Sequence, residues 1–234
     1  MARASTRAPL ALVLSCEHGG NRVPARYARH FEAPAAVLAS HRGWDPGALP
    51  LARRLARALR APLVATTVTR LLVDCNRSPH HRKLHSAFAH LDAEARRALL
   101  AEHYEPHRAR VAAAIEAELA RGARVLHVAV HSFTPVLEGV TRNADLGLLF
   151  DPRRALEAEI ARVLQGALRA HMPELRVRRN YPYLGRSDGL PTALRRRFVA
   201  SRYAGIELEL NQLHARQPPY AAILDALVRA LAEA

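Results

Sequence analysis

Apolar positions along this chain fall into two kinds of run. Short, nearly continuous runs at Ala11 to Cys16, Pro62 to Val68, Leu71 to Cys75, Val125 to Val130, Leu146 to Phe150 and Ile206 to Leu210 are strand-sized. Between several of them lie longer stretches with helical patterning: Gly47 to Leu59, Asp92 to Ala120, Pro152 to Ala170 and Pro218 to Ala232. Strands that alternate with helices call for a mainly parallel sheet covered on both faces, because parallel crossovers are right-handed and usually helical. The pattern therefore predicts a three-layer α/β/α sandwich. Only a few residues join the runs at 62–68 and 71–75, so at least one antiparallel pair is expected and the sheet should be mixed. The stretch Arg178 to Arg195, with Asn180, Pro182, Gly185, Asp188, Gly189 and Pro191, reads as a loop long enough to cover a site.

Composition narrows the class. With 234 residues, 50% of them apolar, the chain can bury one substantial core, and residues 1–234 read as a single domain. The longest apolar segments are too short to span a bilayer and no secretory leader pattern is visible, so a cytoplasmic protein is expected. Cys16 and Cys75 both lie inside apolar runs, where small buried thiols fit better than a disulfide framework or a catalytic thiol. A net charge of +14 raises the question of nucleic acid. Its distribution argues against that: the arginines are spread over helical faces, as at Arg53, Arg54, Arg57 and Arg60, and the densest cluster, Arg195 to Arg197, has no strong aromatic interleaving.

In open α/β sheets, ligands bind beyond the carboxyl ends of the strands, so polar residues just past apolar runs are the ones to collect. They are Glu17 and His18, Asp74 with Asn76 and Arg77, His131 and Ser132, and Glu207, Glu209 and Asn211. Two histidines with several carboxylates make the inventory of a zinc hydrolase, in which three protein ligands leave a position for water. Asp45, before Pro46 and Gly47, reads equally well as a helix cap and as a metal ligand. Arg77 beside Asn76 suits a carboxylate-bearing substrate, although Asp74 and Arg77 could instead form a structural ion pair. Glu207 and Glu209 are two apart in a strand and share a face. His80, His81, His85 and His90 show no clean ligand spacing, and His107, after Pro106, is ambiguous. Serine-hydrolase elbows, phosphate-binding lysine loops, dinucleotide fingerprints and paired Cys-x-x-Cys motifs do not occur in the sequence.

At these residues the chain resembles the N-formylglutamate amidohydrolase family in its short bacterial form. The resemblance is carried, in family order, by Ser15 to Pro24 (SCEHGGNRVP), Trp44 to Ala48 (WDPGA), Thr69 to Arg77 (TRLLVDCNR), His131 to Pro135 (HSFTP), Asn180 to Tyr183 (NYPY) and Glu207 to Gln212 (ELELNQ). It implies a three-layer α/β fold related to zinc carboxypeptidases and aspartoacylases, and hydrolysis of an N-formyl or N-acyl amide on an acidic amino acid, N-formyl-L-glutamate first. Another N-acyl amino acid or a short peptide is the nearest alternative; a noncatalytic basic binding protein for nucleic acid or an acidic partner is the rival from another class. The resemblance further implies a divalent metal, zinc first, on His18 and His131 with Asp45, or second Glu17, completing the set. Glu209 would be the general base ahead of Glu207, and Arg70 would stabilise the oxyanion. Asn76 and Arg77 would hold the substrate carboxylate, with Asn180 and Tyr183 reaching it from the loop. Two positions depart from related patterns: Asn21 stands where zinc carboxypeptidases carry a ligating acid, and Asn211 where the family strand usually carries arginine.

Overall fold

The computed structural model describes residues 8–215 and 220–233. In chain order the elements are β1 (Leu10–Cys16), α1 (Ala35–Ala39), α2 (Ala48–Leu59), β2 (Leu63–Ala65), α3 (Ala93–Leu99), α4 (Glu105–Ala120), β3 (Arg124–Phe133), β4 (Val136–Leu137), β5 (Val140–Thr141), β6 (Leu146–Leu149), α5 (Ala155–His171), β7 (Val177–Arg179), α6 (Leu190–Arg197), β8 (Tyr203–Asn211) and α7 (Tyr220–Glu233). Six strands form one sheet in the order β2-β1-β3-β8-β6-β7, while β4 and β5 make a small hairpin outside it. All neighbouring pairs in the large sheet are parallel except β6 and β8. The expected mixed, mainly parallel three-layer sandwich is what the chain forms.

The two faces of the sheet are built differently. Even-numbered side chains such as Leu14, Leu126, Val128, Ile206 and Leu208 join Leu51 and Leu55 of α2, Leu164 of α5 and Ile223 of α7 in the largest apolar cluster. The odd-numbered face packs on α4 and α6 through a smaller cluster that includes Val13, Val125, Val111, Ile115 and Leu194. Polar side chains interrupt that second face: Ser15, His127, His131 and Glu209 are all buried there. Burying such a group unpaired costs roughly 2–7 kcal/mol, and two of the four pair with a neighbour in this layer. Ser15 Oγ lies 2.8 Å from His127 Nε2, and His127 Nδ1 lies 3.0 Å from the Tyr203 hydroxyl.

Three expectations are corrected and one, the long helix, is refined. Leu71 to Cys75 forms turns, not a strand: Leu72, Val73 and Cys75 are apolar because they fill a third cluster with Tyr27, Leu99 and Tyr104. The run at 62–68 contributes only β2, parallel to β1, so the antiparallel pair arises from β6 entering beside β8 instead. The helix expected over Asp92 to Ala120 begins as predicted, with Asp92 Oδ1 accepting from Ala95 N at 2.7 Å, but it widens into a π turn at Leu100–Tyr104. Proline cannot donate to the ladder, and Pro106 lies just beyond that turn. The loop assigned to Arg178 to Arg195 is confined to residues 180–189, since Gly189 caps α6 and Pro191 occupies its first turn.

Candidate active site

β1 delivers Glu17 and His18, both buried, just past its end. β3 delivers His131, in register with Glu209 of β8, so these two side chains are neighbours on the same face. Asp45 is drawn in by its backbone, whose N–H donates to the His18 carbonyl at 2.9 Å. Two residues later the chain must turn sharply into α2. Gly47 does this at φ +86°, where a Cβ would stand 2.5 Å from the Ala215 Cβ. The capping reading of Asp45 does not hold, because Gly47 is the N-cap and no side chain caps the helix.

The Asp45 carboxylate faces the cavity. Its Oδ2 lies 3.0 Å from His131 Nδ1 and 3.4 Å from His18 Nδ1, and it accepts from Ser132 N at 3.3 Å. One ligand-type atom from each of His18, Asp45 and His131 falls within 4.8 Å of the others. Behind each imidazole stands another carboxylate. His18 Nε2 is 2.7 Å from Asp74 Oδ1, and His131 Nε2 is 3.1 Å from Glu17 Oε2. A ring that gives its Nε2 proton to a carboxylate turns the Nδ1 lone pair forward, so both rings are set to present Nδ1 to the cavity. Glu17 lies on the far side of His131 from Asp45, which removes it from the convergent set. Its other oxygen is 3.2 Å from His107 Nε2. Arg70 Nη2 sits 3.0 Å from Asp45 Oδ1 and contacts His18 Nδ1, so a cation already fills part of this anionic corner.

Burial and charge pull these groups apart. Burial pushes the Glu209 carboxyl up to about 8, and its Oε2 has no partner among the described residues. Burial also raises Asp45, against the hydrogen bond from His131. For His131 burial acts downward, yet the carboxylates of Asp45 and Glu17 override it and hold the imidazole well above its ordinary value. Glu17 mirrors this: burial pushes upward, but its histidine partners keep it well below the carboxylate range.

His18, Asp45, Arg70, Asn76, Arg77, His131, Tyr183 and Glu209 all line one cavity of about 280 Å³, together with Ser132, Leu184, Ser187, Asp188 and Glu207. Asn180 does not join them. Its side-chain oxygen accepts from Phe150 N and Gly185 N, a structural use that holds the 180–189 segment against the sheet. Asn211 is likewise fully buried, donating to the Ala144 carbonyl and accepting from Leu213 N. Asn76 lines the cavity with both ends of its amide engaged, Oδ1 accepting from Leu190 N at 2.7 Å and Nδ2 3.4 Å from Glu207 Oε1. Arg77 donates through Nη1 to the Asp188 carbonyl. Asp74 was visible in the sequence only as a strand-end acid that could pair with Arg77. It stands 3.7 Å from Arg77 Nε, and its closer contact is His18. Ser187 and Asp188 carried no sequence signal beyond their place in the loop.

A mostly parallel α/β sheet with a polar, carboxylate- and histidine-lined cavity at its strand ends has the build of an α/β enzyme. The model of the N-formylglutamate amidohydrolase family matches residues 10–214, and the chain belongs to that family and thereby to the amide hydrolases. A gene product of Agrobacterium tumefaciens of known structure is 30% identical and superposes with a TM-score of 0.80 over 97% of this chain and 92% of that one. An N-formylglutamate amidohydrolase from Ralstonia eutropha JMP134 shares the fold at 20% identity, with a TM-score of 0.69 over 96% and 92% of the two chains. Among curated proteins, no sequence matches the chain.

Proposed function

We propose that this protein hydrolyses the amide of an N-formyl or N-acyl acidic amino acid, N-formyl-L-glutamate first, with a divalent ion, zinc before others, held by His18, His131 and Asp45. The observation that carries this reading is the convergence of one ligand-type atom from each of His18, His131 and Asp45 within 4.8 Å, beside a buried glutamate oxygen that has no partner among the described residues. The donor set fits zinc, which takes histidine and carboxylate ligands and in hydrolases keeps one position open. A bound ion would supply Lewis acidity and a water of lowered pKa.

The remaining steps belong to the chain. Glu209 accepts the proton of the attacking water as its oxygen bonds to the amide carbon, then delivers that proton to the nitrogen as the C–N bond breaks. It must be ionised to do so, and positive charge at the neighbouring cluster favours that form against the cost of burial. Glu207 is the weaker candidate, because Asn76 already approaches it. Arg70, held by Asp45, lies where charge develops on the amide oxygen. Arg77 pairs with the substrate carboxylate, and Asn76 steadies the start of α6 beside it. Tyr183 stands at the mouth, its hydroxyl accepting from Arg142 at 3.0 Å. The two cysteines are buried and free, which suits a reducing, cytoplasmic compartment, and we read residues 1–234 as one amidohydrolase domain.

Formate release from N-formyl-L-glutamate by metal-stripped protein, with and without added zinc, tests the proposal. Zinc-dependent release that the His131→Ala protein lacks is the expected result. Failure with every divalent metal and every N-acyl amino acid offered would leave the binding-protein reading in its place.

A further inference from the structure

Behind the cavity, on the face of the sheet that packs against α4, lies a buried pair that the proposed reaction does not use. We infer that Glu17 and His107 are positioning residues, a carboxylate–imidazole pair that fixes the ring of His131 so that its Nδ1 is presented to the ion. This rests on the metal-dependent reading above and goes beyond it.

His131 and Glu17 face each other at 3.1 Å through Nε2 and Oε2, without the alignment of a completed hydrogen bond, and neither atom has a hydrogen-bond partner among the described residues. An imidazole that offers Nδ1 to a cation carries its proton on Nε2, and a buried N–H without an acceptor is costly. Glu17 is the acceptor at that position. A carboxylate buried at this depth cannot stand alone either. Its second oxygen is met by His107 Nε2 at 3.2 Å, and the side chains of Glu17 and His107 are both fully buried. His107 therefore sets the plane of the carboxylate, and the carboxylate sets the plane of His131.

The placement of His107 has a local cause. It lies in the first turn of α4, directly after the π turn at Leu100–Tyr104 and next to Pro106. An extra residue in a helix rotates everything downstream by about 100°. The wide turn thus decides which side chains of α4 meet the sheet, and it brings a histidine where an apolar helix face would otherwise continue the packing of Val111 and Ile115.

The test uses cobalt(II) added to metal-free protein, read by competition with a chromophoric chelator and by the visible spectrum of the cobalt form. His107→Ala is expected to weaken cobalt binding roughly 10- to 100-fold and to shift the spectrum, with His107→Gln, which keeps an N–H for Glu17, recovering most of the loss. Glu17→Gln provides a second route should His107→Ala fail to fold. The two imidazoles face different oxygens of Glu17, and the amide turns one of these into an NH2 donor, so this variant should also lose affinity. His127→Ala is the control, since His127 is equally buried on the same face but pairs with Ser15 and Tyr203. It should lower the melting temperature and leave the spectrum and affinity as in the wild type. Folded His107→Ala and Glu17→Gln proteins with wild-type affinity and spectrum would overturn the positioning pair alone. A wild-type protein that takes up no cobalt would overturn the metal site and the pair with it.

Discussion

His18 and His131 each face a carboxylate with one ring nitrogen and turn the other toward Asp45, so the candidate ligand cluster is flanked by side chains that do not line the cavity. Glu209 differs from every other acid around it. Asp45 and Asp74 are hydrogen-bonded, Glu17 lies between two imidazoles, and Glu207 is approached by Asn76, whereas Glu209 Oε2 is buried and unengaged among the described residues. A carboxylate oxygen left unengaged at that depth is a structural liability, and the proposed proton-transfer role accounts for it. Replacing Glu209 with the isosteric amide removes the proposed base and preserves the volume. Glu209→Gln should therefore lower turnover by about 10²–10⁴-fold. Zinc content, measured on the purified protein, should stay that of the wild type, because Glu209 is not one of the three converging residues. Loss of zinc along with activity would make it a ligand instead.

β8, the strand that carries Glu209, is tied at its end to β6 and β7 by Asp145, which precedes β6. Its carboxylate takes hydrogen bonds from Arg176, just before β7, and lies 2.8 Å from His214, just after β8. Burial pushes this carboxyl up, but its partners outweigh that and hold it well below the usual range. A carboxyl depressed in the folded state gives stability that is present above the unfolded value of about 3.9 and is lost as pH falls through the folded one. Asp145→Asn should thus be less stable than the wild type near neutrality, and the gap between their urea midpoints should narrow as the pH is lowered below about 4. A gap independent of pH would mean that the clamp owes nothing to charge. At this same scale the sequence was readable where apolar continuity and strand coincide, as in β1, β3 and β8, and unreadable where they part. Leu71 to Cys75 is as apolar as a strand because it is buried as one, and period alone cannot separate the two. α6 was hidden inside a loop by its opening Gly-Leu-Pro. His18, Asp45, His131 and Glu209 could be collected from strand and helix ends. The service of Asp74 to His18 and of His107 to Glu17 joins residues 56 and 90 positions apart, and becomes visible only when the sheet aligns them.

For the molecule as a whole, the net charge of +14 and the lining of the cavity point in opposite directions. Asp45, Asp188, Glu207 and Glu209 line the cavity against Arg70 and Arg77. The positive charge lies mainly elsewhere, as on the exposed Arg53, Arg54 and Arg57 of α2. A field of that kind acts at a distance, drawing a small dianion toward the surface, while the proposed ion and the cavity-lining Arg70 and Arg77 would act only at contact. The two contributions separate by salt. Screening shortens to about 10 Å at 0.1 M and about 3 Å at 1 M, so the long-range part fades while contacts inside the cavity persist. The value of kcat/KM for N-formyl-L-glutamate should accordingly fall with rising sodium chloride while kcat changes little. Excess duplex DNA at low salt should leave both constants unaltered. A flat kcat/KM would show that the surplus arginines serve solubility rather than capture of substrate, and inhibition by DNA that vanishes at high salt would return nucleic acid to the list of partners.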